Sequence, residues 1–357
     1  SRWPHAWSTS KKSNVPYVIF ERAAAVKPLG AGMSVGPSLL PLFEQLGIYD
    51  EFLAIGKYGT HTFNYNESLE SYPPIDYSPV EEFAGYGQYI VARPKLYDLI
   101  LRQLPAHKIN FGHRVLNISK KEDKVTIHLA NNSTFEGDII VGADGAYSAV
   151  RQRMYEQLRV KGTLSKSDQG ELPFSCTCLV DQTKVLDPEE YQIVKGPLCQ
   201  FRSVFGDEQP FTTRDFSVPF GEGKNTLGHI YDLTPKEQLS KVMLEEKVFK
   251  AWHSGRIVLL GDACHKLNPA GGHGAVTAMH DAIALANLLY AMPATTSLEV
   301  AKIFEEYRKE RYPAVMESFK NSQQMSMIAD KGIVGSIVFY LIHNMLSWLW
   351  RLVVICK

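Results

Sequence analysis

The 357 residues carry 38 Lys and Arg against 38 Asp and Glu, with 45% apolar and 11% aromatic side chains. Length alone allows about two domains, and the apolar and aromatic content excludes a largely disordered chain. A formal net charge of +0 excludes the basic stripe a nucleic-acid binder needs for phosphates, and five cysteines scattered at 176, 178, 199, 264 and 356 form no disulfide framework, which points to a reduced, intracellular setting.

Residues 1–14 have no apolar core of the kind a signal peptide needs. The run Val-Pro-Tyr-Val-Ile-Phe over 15–20 predicts a buried strand ending in Glu21-Arg22. A loop with Pro28, Gly30, Gly32 and Gly36 follows, then a short helix over 39–46 stopped by Gly47. Arg93-Pro94 opens a helix with Leu96, Leu99, Ile100, Leu101 and Leu104 on one side, ended by Pro105. Strands are predicted over 109–111, 115–119 and 125–129, with Asn131-Asn132 as a turn, and 138–141 runs into Gly142-Ala143-Asp144-Gly145. Strands and helices alternating in this way suit an α/β sheet with an antiparallel insertion.

From 166 to 250 the texture changes to short β-like runs punctuated by Pro and Gly, with a helical period only over 235–248. This predicts a second, sheet-based domain. A buried strand over 256–260 then enters Gly261-Asp262, a helix runs over about 274–290 until Pro293, and a charged amphipathic helix covers 303–312. Nineteen residues, 332–350, carry no formal charge between Lys331 and Arg351. As a helix they would measure about 28 Å, close to a bilayer's hydrocarbon thickness. Trp348 and Trp350 stand where interfacial aromatics belong. His343, Asn344 and Ser347 in the middle suit a helix lying on the membrane or on the protein instead.

Two stretches carry the chemistry. A strand ending in Gly261-Asp262 sets a carboxylate at the sheet's carboxyl edge, where α/β folds bind ligands. Gly271, Gly272 and Gly274 let backbone approach a flat ligand, and unpaired N–H groups at the next helix start favour negative charge. A flavin ring, whose N1–C2=O edge becomes anionic on reduction, suits that geometry. The second stretch, 138–151, again delivers an acidic turn, Asp144-Gly145, from a buried strand, with Ser148 available to cap a helix. Glu21 ends the first strand, where an acid grips a ribose diol in dinucleotide folds. Arg93 starts a helix, a place where the helix dipole gives a cation no help.

Together "VIFER", "GAGMSVGPSLLPLFEQLG", "ARPKLYDLIL", "GADGAYSAVR" and "WHSGRIVLLGDACHKLNPAGGHGAVTAMHDAIALANLL" resemble the class A flavoprotein monooxygenases, the para-hydroxybenzoate-hydroxylase-like group. Within it they are most similar to the fungal branch that epoxidises or hydroxylates terpenoids and meroterpenoids. The resemblance implies a Rossmann-like FAD-binding domain over 15–165 and 251–320, an inserted mixed-sheet substrate domain over 166–250, and an apolar, membrane-associated C-terminal helix over 325–357. It implies FAD as cofactor, NAD(P)H as electron donor, O2 and a lipophilic small molecule as substrates, and an intracellular membrane such as the endoplasmic reticulum as location. Residue by residue, it implies that Glu21 holds the adenosine ribose and that backbone near Gly32 and Ser34 lines the cofactor cleft. Arg93 would reach the phosphate or flavin side. Asp144 and Gly145 would serve both FAD and the nicotinamide, Asp262 the ribityl and pyrophosphate portion, and Gly274 and Ala275 the flavin ring. His273 stands where the family commonly has Gln.

A dinucleotide fold of this kind opens with a strand, G-x-G-x-x-G and a helix, a unit of about 30 residues. Only 20 residues precede Glu21, and 1–14 contain no glycine. The expectation is therefore a chain lacking its first βα unit, with a catalytically inactive membrane-bound remnant as the alternative. Gly32-Met33-Ser34-Val35-Gly36 also fits the G-x-S-x-G of a serine hydrolase, but a loop rather than a strand is expected before it. His265, His273 and His280 lack a recognised metal-ligand spacing. Tyr191 and Tyr231 are the tyrosines available in the substrate domain, and no catalytic side chain is assigned.

Overall fold

The computed structural model describes residues 15–26, 32–63, 71, 73–121, 123–180, 204–205, 215, 225–233, 240–268, 272–329 and six positions between 337 and 349. It divides into two compact units. One joins Ser1–Lys27, Leu101–Pro173 and Glu245–Gln324; the other joins Pro28–Ile100, Phe174–Leu244 and Met325–Lys357.

In the first unit, strand Ile140–Gly142 runs parallel to Ile257–Leu259, which pairs on its other side with antiparallel His253–Ser254. Ile257, Val258 and Leu259 are all fully buried, which is why three consecutive apolar residues, without alternation, make this strand. A meander of Val115–Lys120, Val125–Leu129 and Thr134–Gly137 lies in the same unit. Its middle strand buries Val125, Ile127 and Leu129 on one face, the period of a half-buried strand. The predicted turn forms between the last two strands: Asn132 takes φ 65°, and the Asn131 side chain accepts the Ser133 N–H at 3.1 Å.

The strand expected over 15–20 is shorter and less buried. Only Ile19–Phe20 pairs, in parallel with Ile109–Asn110, while Val15, Tyr17 and Val18 are exposed. Pro16 has no N–H to offer a ladder, and among the described residues this strand has one neighbour only.

Three helices complete this unit's framework: Ala149–Val160, Gly274–Ala291 and Ser297–Ala329. The last spans 33 residues and passes through Pro313, well beyond the predicted 303–312. Val300, Phe304, Tyr307 and Val315 along it are fully buried, so packing on both sides of the proline carries the helix through a residue that removes one hydrogen bond. Trp252, Met154 and the Ile257–Leu259 strand share its core.

In the second unit, Gly32–Val35 pairs antiparallel with Tyr89–Ala92, which also pairs with Lys57–Tyr58. Gly32 to Val35 therefore form a strand, not the predicted loop, because the Tyr89–Ala92 strand supplies their hydrogen bonds. Leu40–Leu46 is helical as predicted and is stopped by Gly47 at φ 70°. Arg93–Leu101 is also helical and buries Leu96 and Leu99. A separate sheet sets Phe174–Val180 between Val204–Phe205 and Ser240–Glu245. The helix expected over 235–248 is thus overturned. Val242 and Leu244 stand two apart, a strand's period, and pairing with Phe174–Val180 overrides the helical propensity of the Lys, Met and Glu around them. In the first unit, Lys247–Val248 is again a strand, antiparallel to His265–Lys266.

No helix among the described residues is long and apolar enough to cross a membrane. Most of 332–350, and all of 1–14 where the first βα unit was in question, lie outside the described residues.

Candidate functional site

The parallel register sets Gly142 opposite Leu259, and the Leu260 N–H continues the ladder to the Gly142 carbonyl at 3.0 Å. Both chains leave the sheet at the same end. Asp144-Gly145 and Gly261-Asp262, read separately in the sequence, thereby emerge side by side at the carboxyl edge, where open α/β sheets bind ligands. This closeness depends on Gly142, since a Cβ there would lie 2.8 Å from side-chain atoms of both Leu259 and Val150.

The Asp144 carboxylate turns back into its own segment. One oxygen accepts the Ser148 hydroxyl and the other the Val150 N–H at 3.1 Å. Ser148 caps the Ala149–Val160 helix as predicted, its Oγ accepting the Arg151 N–H at 2.9 Å. This turn offers a ligand backbone at Gly145, with φ 83°, beside the exposed Asp144.

The second turn behaves differently. Gly261–Ala263 forms one 3-10 turn. Gly261 takes φ 58°, and a Cβ on it would lie 2.9 Å from the Ala278 Cβ, so glycine is required on two grounds. The Asp262 side chain keeps 39% exposure and pairs with Lys266 at 3.1 Å. Asp144 is exposed as well, so the two motif carboxylates differ in their partners rather than in access: Asp144 accepts from its own segment and Asp262 from Lys266.

Behind this turn stands a buried network. Asp281, on the Gly274–Ala291 helix, accepts the Gly261 N–H at 3.1 Å, the His265 ring through Nε2, and Arg311 Nε at 2.8 Å. Arg311 Nη2 also donates to the Thr277 carbonyl. Burial pushes the Asp281 pKa up, but His265 and Arg311 outweigh it and hold the carboxyl below the usual aspartate range. Burial also pushes the neighbouring Cys264 thiol well up. Cys264, His265 and Asp281 bring ligand-type atoms within 4.8 Å of one another. Both Asp281 oxygens are already engaged by donors, one of them a guanidinium, so the group is a charge-paired network in this arrangement.

The Gly274–Ala291 helix begins next to these turns in sequence. Its first bond runs from the Thr277 N–H to the His273 carbonyl at 2.8 Å, so the N–H groups of Gly274, Ala275 and Val276 have no acceptor within the helix. Among the described residues nothing lies within 4 Å of where a Gly274 Cβ would stand, and Ala275 is exposed. At the other parallel pair, Glu21 follows Ile19–Phe20 and holds its backbone to Asn110 and His113, while its Oε1 accepts the Ala23 N–H at 2.7 Å.

Gly32, Ser34 and Arg93 belong to the second unit. Gly32 pairs with Ala92, the residue before Arg93, and Arg93 is exposed at its helix start. Ser34 lies inside its strand opposite Ile90, its hydroxyl accepting from Gln88. A hydrolase elbow needs the serine at a strand-to-helix turn, so the G-x-S-x-G reading fails here. Tyr231 lies on the helix Leu227–Asp232, and Tyr191 is outside the described residues.

Sequence reasoning missed Asp281, Arg311 and Arg151, whose guanidinium donates to the Ala263 carbonyl. Asp281 left a signal, being the lone acid between Gly274 and Ala291 in a largely apolar helix. Arg311, in a charged segment, left none.

Residues 13–184 and 226–322 match the family model described as FAD binding domain. The FAD-dependent monooxygenase paxM of Penicillium paxilli is 28% identical over 360 residues, 87% of this chain and 73% of that protein. The 6-hydroxynicotinate 3-monooxygenase of Bordetella bronchiseptica is 27% identical over 317 residues, 82% of this chain and 81% of that protein. Among solved structures, Klebsiella pneumoniae HpxO complexed with FAD and uric acid superimposes with a TM-score of 0.78 at 18% identity, covering 98% of this chain and 92% of that one. That last likeness is one of fold.

Proposed function

This chain belongs to the FAD binding domain family and is an FAD-dependent monooxygenase, and we propose that it inserts one oxygen atom, by epoxidation or hydroxylation, into a lipophilic secondary metabolite such as a terpenoid or prenylated aromatic, with NAD(P)H as electron donor. The observation that carries this reading is the edge where the two acidic turns meet.

The residues there fit a flavin dinucleotide. A Gly274 whose Cβ position meets no described residue, three helix N–H groups without helical acceptors and a half-exposed Asp262 suit a flat, polar, partly anionic ligand. Bound FAD supplies the redox and oxygen chemistry. In the proposed arrangement Asp262 holds the ribityl and pyrophosphate portion. The Gly274 and Ala275 N–H groups meet the flavin edge that gains negative charge, and Glu21 holds the ribose diol through the oxygen not given to Ala23. The Asp144 and Gly145 turn meets FAD and the nicotinamide through backbone. For Gly32, Ser34 and Arg93 the assignment rests on the resemblance to the family alone.

The test is to purify the chain in detergent, record its visible spectrum, and follow NAD(P)H-dependent oxygen uptake with prenylated substrates. Flavin bands near about 370 and 450 nm, with uptake stimulated by substrate, are expected from the cofactor's chemistry. Absence of bands after reconstitution with excess FAD would instead favour the inactive remnant.

Membrane association is proposed as well, with the endoplasmic reticulum as candidate location. Ile337, Tyr340 and Leu341 are helical, spaced three and four apart, and exposed. Flotation with phospholipid vesicles tests it: wild type should float, and an Ile337→Ser/Leu341→Ser variant should not.

A further inference from the structure

The buried network behind the Gly261 turn has no place yet in the function. Asp281 is 0% exposed, and each of its oxygens is held by donors from other parts of the chain: His265 and Gly261 at Oδ2, Arg311 at Oδ1. An ionised carboxylate in such a place costs several kcal/mol unless it is paired and hydrogen-bonded. Three donors from three elements meet that need.

The arrangement is asymmetric in a telling way. Gly261 is the only backbone group of the Gly-Asp turn that Asp281 touches among the described contacts, and it is the residue held at φ 58°. A hydrogen bond to a carboxylate is roughly twice as strong as one between neutral groups. It fixes the Leu260–Gly261 peptide plane, at the entrance of the turn that carries Asp262. His265 has a buried Nδ1 without a hydrogen-bond partner among the described residues. Its side-chain hydrogen bonding is therefore directed at Asp281. Arg311 pins the opposite oxygen from the Ser297–Ala329 helix.

We propose that Asp281 is a positioning residue for cofactor binding, acting through Gly261 to hold the Asp262 carboxylate at the open edge of the turn. The proposal rests on the reading of Asp262 as an FAD ligand, and the experiment separates the two. The FAD-loaded chain is stripped of FAD, and its affinity for FAD is measured by flavin fluorescence for wild type, Asp262→Asn, Asp281→Asn and the double variant.

Each single variant is expected to weaken FAD binding roughly tenfold, the scale of one lost hydrogen bond to a charged group. The double variant should bind no more weakly than Asp262→Asn alone, because Asp281 acts through Asp262. A purely structural role would instead multiply the two losses, and that result overturns the proposal. So does an Asp281→Asn variant with wild-type affinity beside a weakened Asp262→Asn. If Asp262→Asn binds FAD as wild type does, the ligand reading of Asp262 fails and the proposal falls with it. Should Asp281→Asn not fold, Arg311→Gln replaces it. That site is 12% exposed and its loss leaves the carboxylate in place, and the same non-multiplicative pattern with Asp262→Asn is required.

Discussion

Arg151 donates from Nη1 to the Ala263 carbonyl at 2.8 Å, and from Nη2 to the carbonyl of Ala146. One guanidinium therefore spans the two acidic turns, holding the end of the Gly261–Ala263 turn against the start of the Ala149–Val160 helix. The Phe249 ring lies 4.2 Å beneath it, and burial pushes its pKa down from the usual arginine value.

Replacing this residue should loosen both turns together. Arg151→Met leaves two carbonyls without their donor and is expected to cost about 2–4 kcal/mol, read from urea denaturation. Arg151→Lys should recover less than half of that, because an ammonium cannot reproduce the planar fork. Full recovery by Lys would show that charge alone matters at this position.

Gly261→Ala meets two penalties at once. A left-handed backbone costs a non-glycine residue about 1–2 kcal/mol, and the added methyl group meets the Ala278 Cβ at 2.9 Å. Thermal unfolding should show both, and Gly261→Ala/Ala278→Gly should restore only the steric part. A double variant as stable as wild type would mean that the backbone there relaxes freely.

The Asp281 carboxyl is held below its ordinary value of 3.8 in the folded protein. A depressed folded pKa means the unfolded chain takes up the proton first as pH falls. Asp281 therefore contributes stability that is fully present above the unfolded pKa and is lost as pH falls below 3.8 through the folded one. The stability difference between wild type and Asp281→Asn, from urea curves between about pH 7 and about pH 3, should narrow toward the acid end. A difference that widens on acidification would reverse the assignment.

Ser148 both donates to Asp144 and accepts from the Arg151 N–H. Ser148→Ala should cost about 1 kcal/mol, the usual worth of an N-cap, and Ser148→Thr should recover most of it. Ser148→Asp should not, although Asp is a good cap elsewhere, because an ionised carboxylate cannot donate to Asp144 and adds a like charge beside it. Chemical denaturation of the three variants decides the order.

Features whose physics is local were legible in the chain. Gly47 stops a helix because it alone adopts φ 70° cheaply, Asn131-Asn132 turns the chain with its own side chain, and Ser148 caps the helix that follows it. The strands entering both acidic turns could be read as unbroken apolar runs. The segment over 240–245 was misread, because its residues suit a helix and only the neighbouring Phe174–Val180 strand decides otherwise.

By itself, then, the sequence determined the two acidic turns, the helix starts beside them and the flavoprotein character they carry, since turns, caps and glycine conformations depend on residues a few places apart. The tertiary structure alone decided that the turns share one sheet edge, and that Asp281 and Arg151 hold the pair in place. Those contacts join residues 20 and 112 positions apart. Parallel register and burial, not any local preference, bring such residues together.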